Sequence, residues 1–328
     1  MPTVQDTIYP RLKPVVSPAD LERVYTPTLE ECALAEAETR TATAYLGFLI
    51  ALKTFQRLGY FVRLSAVPAG IVRHIAERVA LTDQIPLLPG YDRSGTSRRH
   101  QERIRTYRGV KPFRAGGSAV IHQVIATAAL QTEALDDLIN LAIEELLRHY
   151  YELPGFTTLV KVAQRQRART YTTFYEQVIA TLTPEQQILL DALFVVDPTT
   201  QRTPWDRLKD PTGKPTLANL TETAKHLAWF APYQPLIRLV SLFPEAKLQH
   251  FATEGMAYDR ATMVDIKLAR RSTLMCALLG SQYAGTLDNL TNMLIKRVRS
   301  IQHAAKEALE TYHQQHRART DALVFLLI

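Results

Sequence analysis

Apolar side chains recur every three or four residues along nearly the whole chain, and this spacing constrains the fold more than any other feature. Such spacing places side chains on one face of an α-helix. Glycine is scarce, at 13 residues, and the 18 prolines lie mostly between the periodic segments. The 328 residues, 46% of them apolar, suffice for roughly two or three packed domains. The sequence therefore predicts an all-α, multi-domain protein.

Two helices are predicted with definite ends. The segment Thr39–Gly59 carries a wide apolar face, which favours a central core helix that ends at its glycine. Farther along, Ser94 or Thr96 can cap a helix that runs to about Tyr107. Gly109 then ends this second helix, because glycine accepts the left-handed conformation that closes a helix.

Two consecutive glycines in "FRAGGS" indicate the clearest boundary between domains. Glycine loses more conformational entropy on folding than other residues, so a glycine pair is disfavoured inside a compact element. We expect two helical modules, 1–113 and 114–234, each with an apolar helix pair and an Arg-rich helix, as in helix-turn-helix DNA-binding units. A helical dimerisation or scaffold segment, 235–328, follows. Its apolar seam from Leu290 to Tyr312 fits packing by neighbouring helices and packing by a second chain equally well.

The most basic stretch, Arg93–Arg114, contains eight Arg or Lys among 22 residues and only one acidic residue, Glu102. Helical spacing places His100, Ile104 and Tyr107 on one face, a thin apolar stripe that anchors the helix without burying it. A solvated helix face normally mixes charges of both signs. This face scarcely does, which favours contact with nucleic acid over simple solvation.

A second Arg-rich helix is predicted from about Thr158 to Leu182, where Lys161, Arg165 and Arg169 form an i,i+4,i+8 row. Such a row suits phosphate contacts and a few base-edge contacts in a major groove, but an exposed helix with core aromatics fits equally well. The predicted DNA-binding residues, from both helices and a later loop, are Arg93, Ser94, Thr96, Arg98, Arg99, His100, Arg103, Arg105, Arg108, Lys111, Arg114, Lys161, Arg165, Arg167, Arg169, Tyr171, Lys209 and Lys214. A helix-packing role suits His100 equally well.

Signatures of an enzyme are weak. "GKPT" resembles the end of a phosphate-binding loop, but Pro215 occupies the Ser/Thr position and a turn is favoured. Glu145 and His149 have i,i+4 spacing without a second ligand pair that would complete a metal site. Cys32 and Cys276 match no metal-ligand or redox spacing and indicate buried thiols of a reducing compartment. We expect no catalytic residue, metal, cofactor or small-molecule substrate.

The net charge of +7 makes nucleic acid the first partner to consider, before an anionic membrane or an acidic protein. No apolar run reaches the roughly 20 residues of a membrane span, and no leader segment is recognisable. We therefore expect no membrane contact and a cytoplasmic, nucleoid-associated bacterial protein. Two alternatives stay open: a non-catalytic scaffold or regulator that binds an acidic protein, and an enzyme with an unfamiliar site.

Several segments carry a family resemblance. "YDRSGTSRRHQERIRTYRGVKPF" resembles a run in the N-terminal region of Tn-three family replicative transposases. The segments "ELPGFTTL", "WDRLKDPTGKPTLANL", "FPEAKLQHFATEG" and "LDNLTNMLIKRVRSIQHAAKEAL" fit the family in the same order, from about residue 20 to 312. The ordered set, rather than any one motif, makes the resemblance specific.

The resemblance implies a helical, sequence-specific DNA-binding region that recognises the terminal inverted repeats of a transposon, followed by a dimerisation segment. In the family, a ribonuclease-H-like domain with DDE carboxylates and magnesium ions comes after this region. We expect this chain to lack that domain and to be truncated, through a shortened gene, an interrupted reading frame or a deliberate cut. The partners implied are double-stranded DNA and a second copy of the chain.

Overall fold

The computed structural model describes residues 2–211 and 213–326 and confirms the all-α fold. No β-strand occurs in these two ranges, and the only extended pairing within them is an isolated bridge between Lys111 and Tyr151. None of the helices described there is both long enough and apolar enough to cross a bilayer. The chain divides into two compact units, Met1–Thr170 and Tyr171–Ile328.

Nine α-helices begin within the described part of the first unit, the last of which contains the division. They are α1 (Pro18–Asp20), α2 (Leu29–Glu38), α3 (Ala42–Leu58), α4 (Ala69–Arg78), α5 (Leu88–Asp92), α6 (Gly95–Arg108), α7 (Gly117–Ala128), α8 (Leu135–Arg148) and α9 (Phe156–Thr181). Shorter helical turns cover Val4–Asp6, Leu21–Tyr25, Leu64–Ala66, Thr82–Leu87 and Phe113–Ala115.

The first unit contains two buried apolar clusters. One surrounds α3, which begins where the Thr41 hydroxyl accepts a hydrogen bond from Ala44 N. This helix ends at Gly59, whose φ of 73° is left-handed, as predicted. The other cluster joins α7, α8 and the start of α9 through residues such as Ile125 and Leu138.

The segment after α8 connects these two clusters. Leu153 N donates a hydrogen bond of 2.9 Å to Gly59 O, at the end of α3. Lys111 N donates to Tyr150 O, and Glu152 N donates to Lys111 O, each over 2.8 Å. Because these bonds join chain segments on both sides of residue 113, the two clusters form one compact unit.

The compact units therefore differ in extent from the predicted modules 1–113, 114–234 and 235–328. The glycine pair does not form a linker. Gly116 has a left-handed φ of 129°, and a Cβ on Gly117 would meet the side chains of Phe113 and Leu146. The glycines thus permit close packing within the first unit, and the three-part division stays a prediction about function.

A buried ion pair attaches α2 to α3. Lys53 Nζ lies 3.1 Å from Glu31 Oε2, and both side chains are less than a tenth exposed. Burial acts to raise the pKa of Glu31, but hydrogen bonds from Thr28 N and Gln56 and the charge of Lys53 outweigh it and hold the pKa below its usual value. Both charges are thus present and paired, which is the condition under which a buried ion pair is tolerated.

The second unit is built around one long helix. Its helices are α10 (Pro184–Ala192), α11 (Pro204–Leu208), α12 (Leu217–Trp229), α13 (Gln234–Ile237), α14 (Glu245–Ala257), α15 (Arg260–Asp265) and α16 (Leu268–Leu326), with shorter turns at Ala231–Tyr233 and Arg238–Leu242. The first part of α16 is buried, including Cys276, whose thiol pKa burial raises to about 12. The prediction of two buried thiols is wrong for Cys32, which is only partly buried.

Two glycines of α16 make a matched pair for testing this packing. A Cβ on Gly280 would overlap Val240 Cγ2, whereas a Cβ on Gly285 would meet open space. We expect Gly280→Ala to lower the free energy of unfolding by about 1–3 kcal/mol through overpacking. Gly285→Ala should raise it by about 0.5–1 kcal/mol, because alanine favours the helix. Denaturant titrations followed by the fluorescence of Trp205 and Trp229, both in the second unit, measure each change. Equal effects of the two substitutions would contradict the close approach.

Candidate nucleic-acid interface

The helix α6 carries the most basic stretch and has the predicted ends. Ser94 Oγ accepts a hydrogen bond of 3.2 Å from Ser97 N and donates one of 2.7 Å to Tyr91 O. At the other end, Gly109 has a φ of 63°, and its N–H bonds to the last turn. Both caps are local, which is why the sequence alone located them.

Only a thin stripe of α6 is buried, formed by Ser97, His100 and Ile104. His100 is 3% exposed, and its Nδ1 lies 2.9 Å from Tyr91 Oη. Its ring also packs edge-on against Phe48, with centroids 5.3 Å apart. Of the two roles that suited His100, this environment supports packing, because a side chain so enclosed does not reach a ligand at the surface.

Burial lowers the pKa of His100. A hydrogen bond to the backbone of Glu38 acts in the opposite direction but more weakly than burial, and the charge of Arg99 lowers the pKa further. Since the neutral form of a histidine predominates above its pKa, His100 is neutral at pH 7. The stripe therefore adds no charge to a helix that already carries many.

Two of the predicted contact residues hold α6 in place. Arg105 Nε donates a hydrogen bond of 2.8 Å to Glu152 Oε2, in the segment after α8, and its guanidinium lies 5.2 Å from the Phe61 ring centre. Arg103 Nε donates over 2.7 Å to Glu38 Oε1, at the end of α2. These arginines thus have carboxylate partners within the first unit.

The other arginines of this stretch are exposed. Arg93, Arg98, Arg99, Arg108 and Arg114 all project into solvent, and in the described part of the chain none of them has a carboxylate within ion-pair distance. Among the described residues, their side chains make one hydrogen bond, a long one of 3.5 Å from Arg99 to the Thr96 hydroxyl. Their charges remain available to a partner.

Lys111 follows α6 and is also exposed. Its Nζ lies 5.2 Å from the centre of the Tyr151 ring, a cation–π distance that leaves the ammonium hydrated on its other sides. Its backbone takes part in the bridge to the segment after α8. These backbone hydrogen bonds fix the position of Lys111 next to α6.

In α9, Lys161, Arg165 and Arg169 are exposed at the predicted spacing of four residues. Arg167 instead is half-buried, and its guanidinium donates a hydrogen bond of 3.0 Å to Glu133 O. The buried face of this part of the helix includes Leu159 and Ala163. The first three residues thus form one exposed row, and the fourth anchors the helix.

Two predicted contacts in the second unit are packing residues. Tyr171 stacks on His250, with ring centroids 5.2 Å apart, and contacts the apolar core. Lys209 Nζ donates to Tyr258 O and, over 3.0 Å, to Met256 O, at the end of α14. Burial lowers the pKa of Lys209, so the carbonyl oxygens stabilise an ammonium that is partly withdrawn from water. Lys214, in contrast, is exposed.

The weak enzyme signatures have simple structural explanations. Lys214 O, within "GKPT", accepts a hydrogen bond of 2.8 Å from Asn219 Nδ2, in a turn that leads into α12. Thr212, just before this motif, lies outside the described residues. Glu145 and His149 form an exposed i,i+4 pair, 3.0 Å apart. These contacts are ordinary features of helix ends and surfaces.

The burial of His100 makes the first unit sensitive to acid. Since the folded-state pKa lies below the ordinary value of about 6.5, the unfolded chain binds the proton first, and stability falls as the pH drops through that value. We expect hydrogen-exchange protection of α6, corrected for intrinsic rates, to fall as the pH drops below about 6.5. His100→Asn should reduce this fall, whereas His149→Asn, at an exposed site, should preserve it. An identical fall in all three proteins would contradict the assignment.

Comparison with known proteins places this chain in a family. Residues 1–166 match the family described as a domain of unknown function, DUF4158. The transposase for transposon Tn501 of Pseudomonas aeruginosa is 23% identical over 275 residues, which cover 84% of this chain and 28% of that relative. The transposase for transposon Tn1546 of Enterococcus faecium is 19% identical over 278 residues, which cover 83% and 28%.

The chain thus spans a little over a quarter of the length of these two curated relatives. The matched length, more than four-fifths of the chain, exceeds the first compact unit and extends into the second. Since the family match covers half of the chain, the chain belongs to the DUF4158 family, and it is related to the Tn-three family of transposases.

Proposed function

We propose that this chain is the sequence-specific DNA-binding part of a replicative transposase and recognises the terminal inverted repeats of its transposon. Its relatives by sequence are transposases. The observation that carries the proposal is the set of exposed arginines on α6, Arg98, Arg99 and Arg108, which lack carboxylate partners among the described residues. The proposal assigns end recognition to these 328 residues and no catalytic step.

Electrostatics favours a polyanion at α6. Arg98, Arg99 and Arg108 lie within three turns of one helix, and like charges at this separation repel one another. Phosphate groups remove that repulsion, and release of their condensed counterions adds to the affinity. The proposed contacts in the first unit are Arg93, Ser94, Thr96, Arg98, Arg99, Arg108, Lys111 and Arg114, with Lys161, Arg165 and Arg169 as a second set.

Removal of three exposed charges from α6 tests the proposal. We expect Arg98→Gln, Arg99→Gln and Arg108→Gln together to weaken binding to a duplex selected by this protein from a random pool. If each arginine neutralises one phosphate, the slope of log affinity against log salt should flatten by roughly 2.7, at about 0.9 per phosphate. Fluorescence anisotropy between about 50 and 300 mM salt measures both quantities.

A matched control removes the same charge elsewhere in the first unit. Arg57, Arg63 and Arg73 are exposed and lie outside the basic stretch. Their combined replacement by glutamine should flatten the slope much less. Equal losses in the two triple variants would indicate diffuse attraction and contradict an interface on α6. Equal binding of the wild-type protein to selected and scrambled duplexes would contradict sequence-specific recognition and favour the acidic-protein alternative.

We further propose that α16 forms a homodimer contact. Beyond Met293, none of its described side chains is buried, although Leu294, Val298, Ile301 and Tyr312 continue the apolar seam. A second copy of the chain would cover the seam with its own apolar residues.

Polar substitutions in the seam test this contact. We expect Leu294→Gln with Ile301→Gln to raise the dissociation constant of the dimer at least roughly tenfold, because each substitution removes apolar burial in both copies. Asn292→Gln with Ser300→Gln, at exposed positions outside the seam, should leave it unchanged. Sedimentation velocity over a range of concentrations measures the association. A monomeric wild-type protein at all concentrations would contradict the proposal.

A further inference from the structure

A groove of about 970 Å³ runs alongside α6, and its second wall is made by the loop between α2 and α3. This loop has the sequence "TRT", residues 39–41. Thr39, Arg40 and Thr41 line the groove on one side, and Thr96 and Arg99 line it on the other. The loop lies far from α6 in sequence, so it formed no part of the basic stretch.

The charges within the groove favour an anion. Arg40 and Arg99 are exposed and have no carboxylate partner in the described chain. Glu38 also lines the groove, but its hydrogen bond from Arg103 holds the pKa of the carboxyl below its usual value, and the two charges offset each other. Glu102 is the remaining acidic residue of the lining, so three arginines face two glutamates around the neutral His100.

The backbone adds positive potential at the same place. Both α3 and α6 begin at the groove, capped by the Thr41 and Ser94 hydroxyls, and neither has an acidic residue in its first turn. In contrast, α2 and α8 each have two acidic residues in the first turn. A helix N-terminus carries a partial positive charge and unpaired N–H groups. Two such ends support the anion preference that the arginines establish.

We propose that this groove binds the sugar–phosphate backbone of the duplex that contacts α6, with Arg40 opposite Arg99. The groove presents guanidinium, hydroxyl and amide donors, which match phosphate oxygens. The Thr41 hydroxyl accepts a hydrogen bond from Ala44 N, which leaves its own hydrogen to donate. Contacts of this kind set the position of a duplex without reading its sequence. This inference rests on the proposed function and adds a second wall to the interface.

Arg40→Gln tests the inference. We expect affinity to fall roughly five- to tenfold near 0.1 M salt and the salt slope to flatten by about 0.9, since one phosphate contact is lost. The loss should be equal for the selected and scrambled duplexes, because a backbone contact carries no sequence information. Arg40→Lys should retain the slope. Because Arg40 is exposed, we expect its replacement to leave the protein folded, and a thermal melt checks this.

The matched control is Arg57→Gln, at the far end of the same helix α3. Arg57 is also exposed, and about 20 Å of helix separates it from Ala44, the last residue of α3 that lines the groove, at about 1.5 Å per residue. The Arg57→Gln variant should bind both duplexes with the affinity of the wild type. An equal loss in Arg40→Gln and Arg57→Gln would overturn the groove as a site, because the effect would then be general attraction.

The other outcomes separate this inference from the proposed function. Wild-type binding by Arg40→Gln, together with a loss in the α6 triple variant, would overturn the groove and leave DNA binding by α6 intact. Wild-type binding by both would contradict DNA binding at α6 itself. A loss confined to the selected duplex would overturn the backbone assignment, since Arg40 would then contact bases.

Discussion

Burial of three side chains, Ser97, His100 and Ile104, holds the most basic helix of the protein against its core. The helix can present many charges to solvent because so little of it needs to be apolar. His100 makes this possible by remaining neutral: a charged imidazole there would add to the repulsion among the arginines and lose hydration. The hydrogen bond between His100 and Tyr91 also connects α6 to the segment that caps it. The exposed arginines, the groove and both caps all depend on this attachment.

The arginines of this region serve two physical purposes. Arg103 and Arg105 donate to carboxylates on other elements, and these bonds orient α6 at two points along its length. Arg105 is also partly covered by Phe61, so its charge is less accessible to a partner. Arg98 and Arg99 differ from them because, among the described residues, no carboxylate lies within ion-pair distance of either. The number of arginines in the stretch is therefore larger than the number available for binding.

The candidate interface lies on a compact unit in which two apolar clusters are joined. The segment that follows α8 bonds to the end of α3 and to Lys111, so the helix before the glycine pair and the helices after it belong to one compact unit. Arg105 reaches Glu152 in that same segment. An interface that includes both α6 and the row on α9 would therefore be carried by a single unit. The long helix α16, in the second unit, supplies a separate apolar surface.

Much of the local structure was predictable from the sequence. The core helix that ends at Gly59, the capped helix from Ser94 to Gly109 and the exposed row on α9 all follow from hydrogen bonds or spacings within a few residues. The exposure of the seam on α16 was not predictable, because periodicity identifies an apolar face without identifying what covers it. The packing at the glycine pair was likewise not predictable: a Cβ on Gly117 would meet the side chains of Phe113 and, from a distant part of the sequence, Leu146.

The sequence by itself determined the helical class, the helix caps and the concentration of positive charge, because each depends on neighbours along the chain. Only the tertiary structure decided which charges are available. Partners such as Glu38 and Glu152 lie about 50 to 65 residues from their arginines, and no local pattern reveals them. The same holds for Arg40, which reaches the groove only because α2 and α3 pack beside α6. Charge is a property of the sequence, but its availability depends on which side chains the fold brings into contact.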